Sequence, residues 1–158
     1  IIKSFFEGSK YFVVSGNGLK IGVLTDIGSV CENVITYFRQ CNAVFLEANY
    51  DTKMLETGRY PYFLKKRISA DYGHLSNEQA LELFTKHRSK SLDLVFLSHL
   101  SKDNNDPKLV HRIFEKHAGK TKIIVASRYE ETSVFSITAK KLSWKKTEMQ
   151  KSTQMSMF

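Results

Sequence analysis

Short apolar runs that alternate with helix-period segments predict an α/β domain, with helices layered on a mixed sheet. Three observations carry that prediction. The chain opens on a hairpin signal, Asn17-Gly18 between two apolar runs. The apolar runs that follow are too short for helices and are separated by segments of helical period. Two helix starts are written in capping chemistry, at Ser76 and at Asp106-Pro107.

The elements follow in order. Tyr11–Val14 and Lys20–Leu24 form the hairpin strands, because Asn and Gly accept the positive φ that a tight turn demands. Thr25-Asp26-Ile27-Gly28 is a strand-end loop, and Val30, Val34, Ile35 and Phe38 give residues 29–40 a helical stripe. Ala43–Glu47 is a short buried strand ending in an acid. From Asn49 to Asp71 the pattern breaks into loop and helix pieces. Ser76 and Gln79 make a capping box over Ala80, Leu81, Leu83 and Phe84. Leu92–Leu97 is the next strand. Asp106 caps a helix with Pro107 at its first position and Leu109, Val110, Ile113 and Phe114 as its buried stripe. Lys122–Ala126 and Ser133–Ile137 are the last strands, and the Lys-rich stretch from Lys140 reads as a tail. The expected organisation is a domain over residues 1–139 and a basic flexible tail over 140–158.

A chain of 158 residues with 42% hydrophobic content holds one substantial core. No apolar run approaches the ~20 residues that span a bilayer, and residues 1–15 lack a signal-peptide pattern. A cytoplasmic protein with no membrane partner is therefore expected. The chain starts Ile-Ile-Lys rather than with Met, as a fragment or processed product would. A net charge of +8 favours a polyanionic partner, and it suits an ordinary basic protein equally. Cys31 and Cys41 have neither CxxC nor knuckle spacing, so they read as reduced thiols of a core or helix flank.

Three strands end in a potential ligand or acid: Asp26, Glu47 and His99. Sites in open α/β sheets gather at strand carboxyl ends, so these side chains could share one crevice. A carboxylate with an imidazole suits Zn²⁺ or Mn²⁺. Taken singly, a strand-end Asp is also an ordinary turn former and a lone His an ordinary hydrogen-bonded fixture. His74 precedes the Ser76 cap, where a helix dipole favours anionic oxygens. A neighbouring Glu47 would orient its ring, and the plainer reading is that His74 helps cap the helix. His87, His111 and His117 receive no role.

Four phrases occur in order: Thr25-Asp26-Ile27-Gly28, Leu46-Glu47-Ala48-Asn49, Gly73-His74-Leu75-Ser76-Asn77 and Leu97-Ser98-His99 through Asn105. Together they resemble the metallo-β-lactamase fold, in particular the YycJ/WalJ-like branch of bacterial DNA exonucleases, over about Tyr11 to Ile137. The resemblance implies the C-terminal half of an αββα sandwich, a mixed sheet with helices on one face. It also implies two divalent metal ions, zinc or manganese, in the intact protein. It places the metal-bridging aspartate on Asp26 and the last metal-binding histidine on His99. By similarity to the RNase Z branch, His74 acts on the phosphate or leaving oxygen with Glu47 behind it. The His-x-His-x-Asp-His loop that supplies most ligands is absent from all 158 residues, residues 1–10 contain no histidine, and Tyr50 stands where a histidine is common. The resemblance thus implies an incomplete site, inactive in this chain alone. It also implies an uncovered sheet face that would lead to self-association or require a missing N-terminal half.

Arg59, Lys65, Lys66 and Arg67, interleaved with Tyr60, Tyr62 and Phe63, suit a nucleic-acid track. They suit equally an amphipathic helix with buried rings and solvated cations. At the terminus, Gln154, Met155, Met157 and Phe158 resemble the peptide by which bacterial repair enzymes dock on the sliding clamp; the alternative is a disordered end. The leading expectation is a metal-dependent phosphodiesterase of nucleic acid, with DNA favoured over RNA. The alternatives are a non-catalytic binding module and a hydrolase of small esters or phosphodiesters.

Overall fold

The computed structural model describes residues 11–137 fully and, as backbone, residues 2–4 and 146–147. The chain divides into two compact units, Ile1–Ala126 and Ser127–Phe158. Expectations placed on residues 154–158, including the clamp-like peptide, lie outside the described residues.

The first unit is built on one six-stranded sheet in sequential order: β1 (Ile2–Ser4), β2 (Tyr11–Gly16), β3 (Leu19–Leu24), β4 (Ala43–Glu47), β5 (Leu94–Ser98) and β6 (Lys122–Val125). β1 to β3 pair antiparallel and β3 to β6 pair parallel, so the sheet is mixed as expected. Asn17 and Gly18 close the β2–β3 hairpin at φ 51° and 77°. The positive φ at both central positions is what the Asn-Gly pair was expected to supply.

Three helices cross between the parallel strands: α1 (Glu32–Phe38), α4 (Asn77–His87) and α5 (Pro107–Glu115). The Ser76–Gln79 capping box and the Asp106 cap are both formed, each satisfying backbone N–H groups that the first turn leaves orphaned. Two shorter helices, α2 (Thr52–Thr57) and α3 (Tyr62–Ile68), lie in the stretch that sequence resolved only into pieces. α2 buries only Leu55 and α3 buries nothing, so neither leaves an apolar period to read.

Strand register sorts the side chains. Leu24, Leu46 and Leu97 lie abreast on β3, β4 and β5 and pack with Val34, Phe38, Leu83, Phe84, Val110 and Phe114 in one core. One residue along, Phe12, Val23, Phe45, Phe96 and Ile124 form an apolar row on the opposite face. Phe45 and Phe96 stack with centroids 4.6 Å apart, while Phe12 and Phe45 remain exposed. In the second unit, β7 (Val134–Phe135) and β8 (Lys146–Thr147) form a two-stranded antiparallel sheet. β7 falls inside the strand expected at 133–137, and β8 inside the stretch read as a tail.

Candidate metal and phosphate site

Parallel pairing brings the carboxyl ends of β3, β4 and β5 to one edge of the sheet, so the loop after β3, the end of β4 and the loop after β5 emerge together. They carry Asp26, Glu47 and His99. His74 arrives on the segment before α4, which runs beside the chain after β4. The Asn49 N–H donates to the Leu75 carbonyl at 2.9 Å and the Asn77 N–H to the Tyr50 carbonyl at 2.8 Å. That seam delivers His74 to Glu47.

One ligand atom from each of Asp26, Glu47, His74 and His99 lies within 4.8 Å of the others. Glu47 is completely buried. Its Oε1 accepts from His74 Nδ1 at 2.8 Å and from His99 Nδ1 at 2.7 Å. Its Oε2 accepts from the Ile27 N–H at 2.8 Å and the Leu75 N–H at 3.4 Å. A carboxylate has about four acceptor positions, and this one is fully used. Because a carboxylate only accepts, each ring donates to Glu47 from Nδ1–H. Asp26 sits nearer solvent, its Oδ1 3.8 Å from both Nδ1 atoms.

Backbone conformation marks the same residues. Three non-glycine residues among those described have positive φ: Asn17 in the hairpin turn, Asp26 at 56° and His99 at 58°. A left-handed backbone is costly for a residue with a Cβ, least so for Asp, Asn and His, and such strain collects at functional sites. Hydrogen bonds hold it in place. Asn49 Nδ2 donates to the His99 carbonyl at 2.7 Å, and the Ser101 N–H donates to the Asn49 carbonyl at 2.7 Å. Asn105 Nδ2 donates to the Ala48 carbonyl at 2.8 Å and to Asn77 Oδ1 at 2.9 Å. Sequence reasoning passed over Asn49, Asn77 and Asn105, although all three lie in the ordered phrases; their burial was the missing signal. The loop leading to His74 is clamped as well, since a Cβ at Gly28 would collide with the backbone of Asp71 and Gly73.

The four expected site residues therefore converge, but the expected division of labour is blurred, because His74 and His99 stand in the same relation to Glu47. Two imidazoles beside a carboxylate form a donor set that suits zinc or manganese. With Nδ1 committed to Glu47, His99 could offer a cation only Nε2, and Asp26 its half-exposed carboxylate. Tyr50 belongs elsewhere. Burial, reinforced by the charges of Glu78 and Glu47, raises its phenol above the ordinary value. It lines a separate pocket with Thr52, Glu56, Lys65 and Lys66.

The basic residues divide in the same way. Arg67 lines a cleft of about 290 Å³ with Asp26, Leu64, Ile68, Tyr72, Gly73 and His74. Lys65 instead donates to the Glu56 carbonyl at 2.7 Å, and Lys66 lies over the Tyr62 ring. Arg59 is exposed and does not line the cleft. Tyr62 and Phe63 are both more than 70% exposed, which overturns the reading of this helix with buried aromatics. A larger groove, about 920 Å³, runs along α5 and β6 and contains none of the four site residues.

No protein-family profile matches the chain. Curated relatives do. The chain is 37% identical over 107 residues to exodeoxyribonuclease WalJ of Streptococcus pneumoniae, covering 68% of this chain and 36% of that protein. It is 35% identical over 95 residues to exodeoxyribonuclease YycJ of Bacillus anthracis, covering 60% and 36%. The matched region thus spans about a third of those relatives' length. The short form of human tRNase Z superposes with a TM-score of 0.41 at 20% identity, over 58% of this chain and 30% of that one. Among the described residues no helix is long and apolar enough to cross a membrane. In sequence the chain is similar to the YycJ and WalJ exodeoxyribonucleases over about a third of their length.

Proposed function

We propose that these residues form one half of the active site of a metal-dependent nucleic-acid phosphodiesterase, exonuclease-like and acting on DNA, in a bacterial cytoplasm. The observation that carries this reading is the buried Glu47 carboxylate, which accepts from both His74 and His99 beside Asp26. Asp26 and His99 would hold the metal, zinc or manganese, with further ligands from outside these residues. Divalent ions, when bound, supply activated water and offset charge on the phosphate.

The chain's own groups do the rest. Glu47 fixes the tautomer and orientation of both rings, as a carboxylate behind a histidine does elsewhere. When His74 carries a second proton, at Nε2, it can give that proton to the departing oxygen while Glu47 stabilises the imidazolium. His74 lines the open cleft with Arg67, so a phosphate can reach it. The apolar row on the second sheet face fits self-association or cover by a further segment, and the terminal Gln154–Phe158 peptide fits docking on a sliding clamp.

The test begins with the DNA immediately upstream of the Ile1 codon. An open frame encoding His-x-His-x-Asp-His supports the reading, and a stop codon there favours a non-catalytic binding module. The longer polypeptide should release nucleotides from end-labelled DNA with Mn²⁺. Its His74→Asn variant should lose 10²–10⁴-fold in kcat, the usual range for general acid–base catalysis, with metal content unchanged. Cleavage of simple phosphodiesters without attack on DNA would contradict a nucleic-acid substrate.

A further inference from the structure

The cleft beside His74 has a second wall that the proposed chemistry does not use. Tyr72 is 99% exposed, the most exposed large hydrophobic residue described, yet it stands on a tightly held turn. The Gly73 N–H donates to the Ala70 carbonyl at 2.7 Å and the His74 N–H to the Ile68 carbonyl at 2.8 Å. A Cβ at Gly73 would strike the backbone of Arg67 and Ile68, so the turn is pressed against the end of α3. An aromatic ring bare to water on a held backbone turn is a poor packing residue and a good stacking platform. Arg67 lines the same cleft, is exposed, and has no ion-pair partner among the described residues. At about 290 Å³ the cleft lies at the small end of the range for ligand sites, on the order of one nucleotide.

We propose that Arg67 and Tyr72 form an arm that grips an unpaired nucleic-acid end: Tyr72 stacks on the terminal base while Arg67 holds a phosphate next to the one facing His74. This rests on the phosphodiesterase reading and adds to it a substrate class, single-stranded ends rather than intact duplex. A cation beside an aromatic ring is the pairing by which proteins hold single strands irrespective of sequence. Arg suits the phosphate because its planar fork gives two parallel hydrogen bonds.

The experiment is fluorescence anisotropy of the full chain with labelled oligothymidylate and with a blunt duplex of equal length. The wild type should bind the single strand more tightly. Tyr72→Ala should lose about tenfold on oligothymidylate and nothing on the duplex, with Tyr72→Trp restoring affinity. Arg67→Ala should weaken both and lower the salt slope by about one. Tyr72 is fully exposed, so an unchanged melting temperature certifies the fold of its variants. Undiminished binding in Tyr72→Ala and Arg67→Ala overturns the arm and leaves the phosphodiesterase reading standing, as does a wild-type preference for duplex. Failure of the wild type to bind either oligonucleotide counts against the nucleic-acid reading itself.

Discussion

His74 and His99 meet edge to face, ring centroids 5.0 Å apart and planes inclined by 67°, because both lean on the same oxygen of Glu47. One strand end and two loops, as many as 52 residues apart, are tied through one buried carboxylate. Its removal should therefore disturb the fold as well as the chemistry. Glu47→Gln keeps the volume but turns one acceptor into a donor that faces N–H groups. We expect a loss of about 2–4 kcal/mol in urea unfolding, as when a buried network is broken. A variant as stable as wild type would show that the four hydrogen bonds contribute nothing.

Left-handed backbone at Asp26 and His99 reverses the usual ranking of glycine and alanine. Asp26→Gly should be more stable than Asp26→Ala by about 1 kcal/mol, since only glycine adopts that region without strain. The same order should hold for His99→Gly against His99→Ala. Chemical denaturation of the four variants decides it, and alanine equal to glycine at both positions would rule out the strain.

Asn49 acts on the site through backbone alone. Its donation to the His99 carbonyl holds the turn that aims the ring. In the longer polypeptide of the proposed nuclease, Asn49→Ala should lower affinity for Mn²⁺ about 10–100-fold, the range for residues that orient ligands, and unchanged affinity would contradict this role. Calorimetric titration reads this directly.

The two thiols should separate chemically. Cys31 is exposed and Cys41 buried, and burial pushes the Cys41 thiol from 9.0 up to about 11. Iodoacetamide in mildly alkaline buffer should label Cys31 in the folded chain and reach Cys41 only after unfolding. Because the folded pKa is raised, the folded state holds its proton longer than the unfolded state. Stability from this group is complete below pH 9.0 and is lost as pH rises to about 11, by roughly 3 kcal/mol in all. Equal labelling of both thiols would contradict the burial.

Much of this was legible in sequence, for reasons that can be named. Asp26, Glu47 and His99 stood out because each ends or follows an apolar run, and in a parallel sheet such ends share an edge. Ser76, Gln79, Asp106 and Pro107 stood out because capping is local chemistry. What stayed hidden is non-local. That one carboxylate serves both histidines depends on strand register and on the seam between Asn49 and Leu75. The buried asparagines looked like loop residues, because asparagine is common in turns and burial leaves no mark on a short polar phrase. Tyr72 was overlooked since a single ring beside a glycine has no period, and only its exposure beside the cleft distinguishes it.

Glu47 holds both imidazoles in one tautomer, with the proton on Nδ1. Long-range ¹H–¹⁵N correlation of the histidine rings, in the metal-free chain at mildly alkaline pH, reads the tautomers directly. The expected result is Nδ1–H for His74 and for His99, and loss of that preference at both in Glu47→Ala. Nε2–H on either ring in the wild type would contradict it.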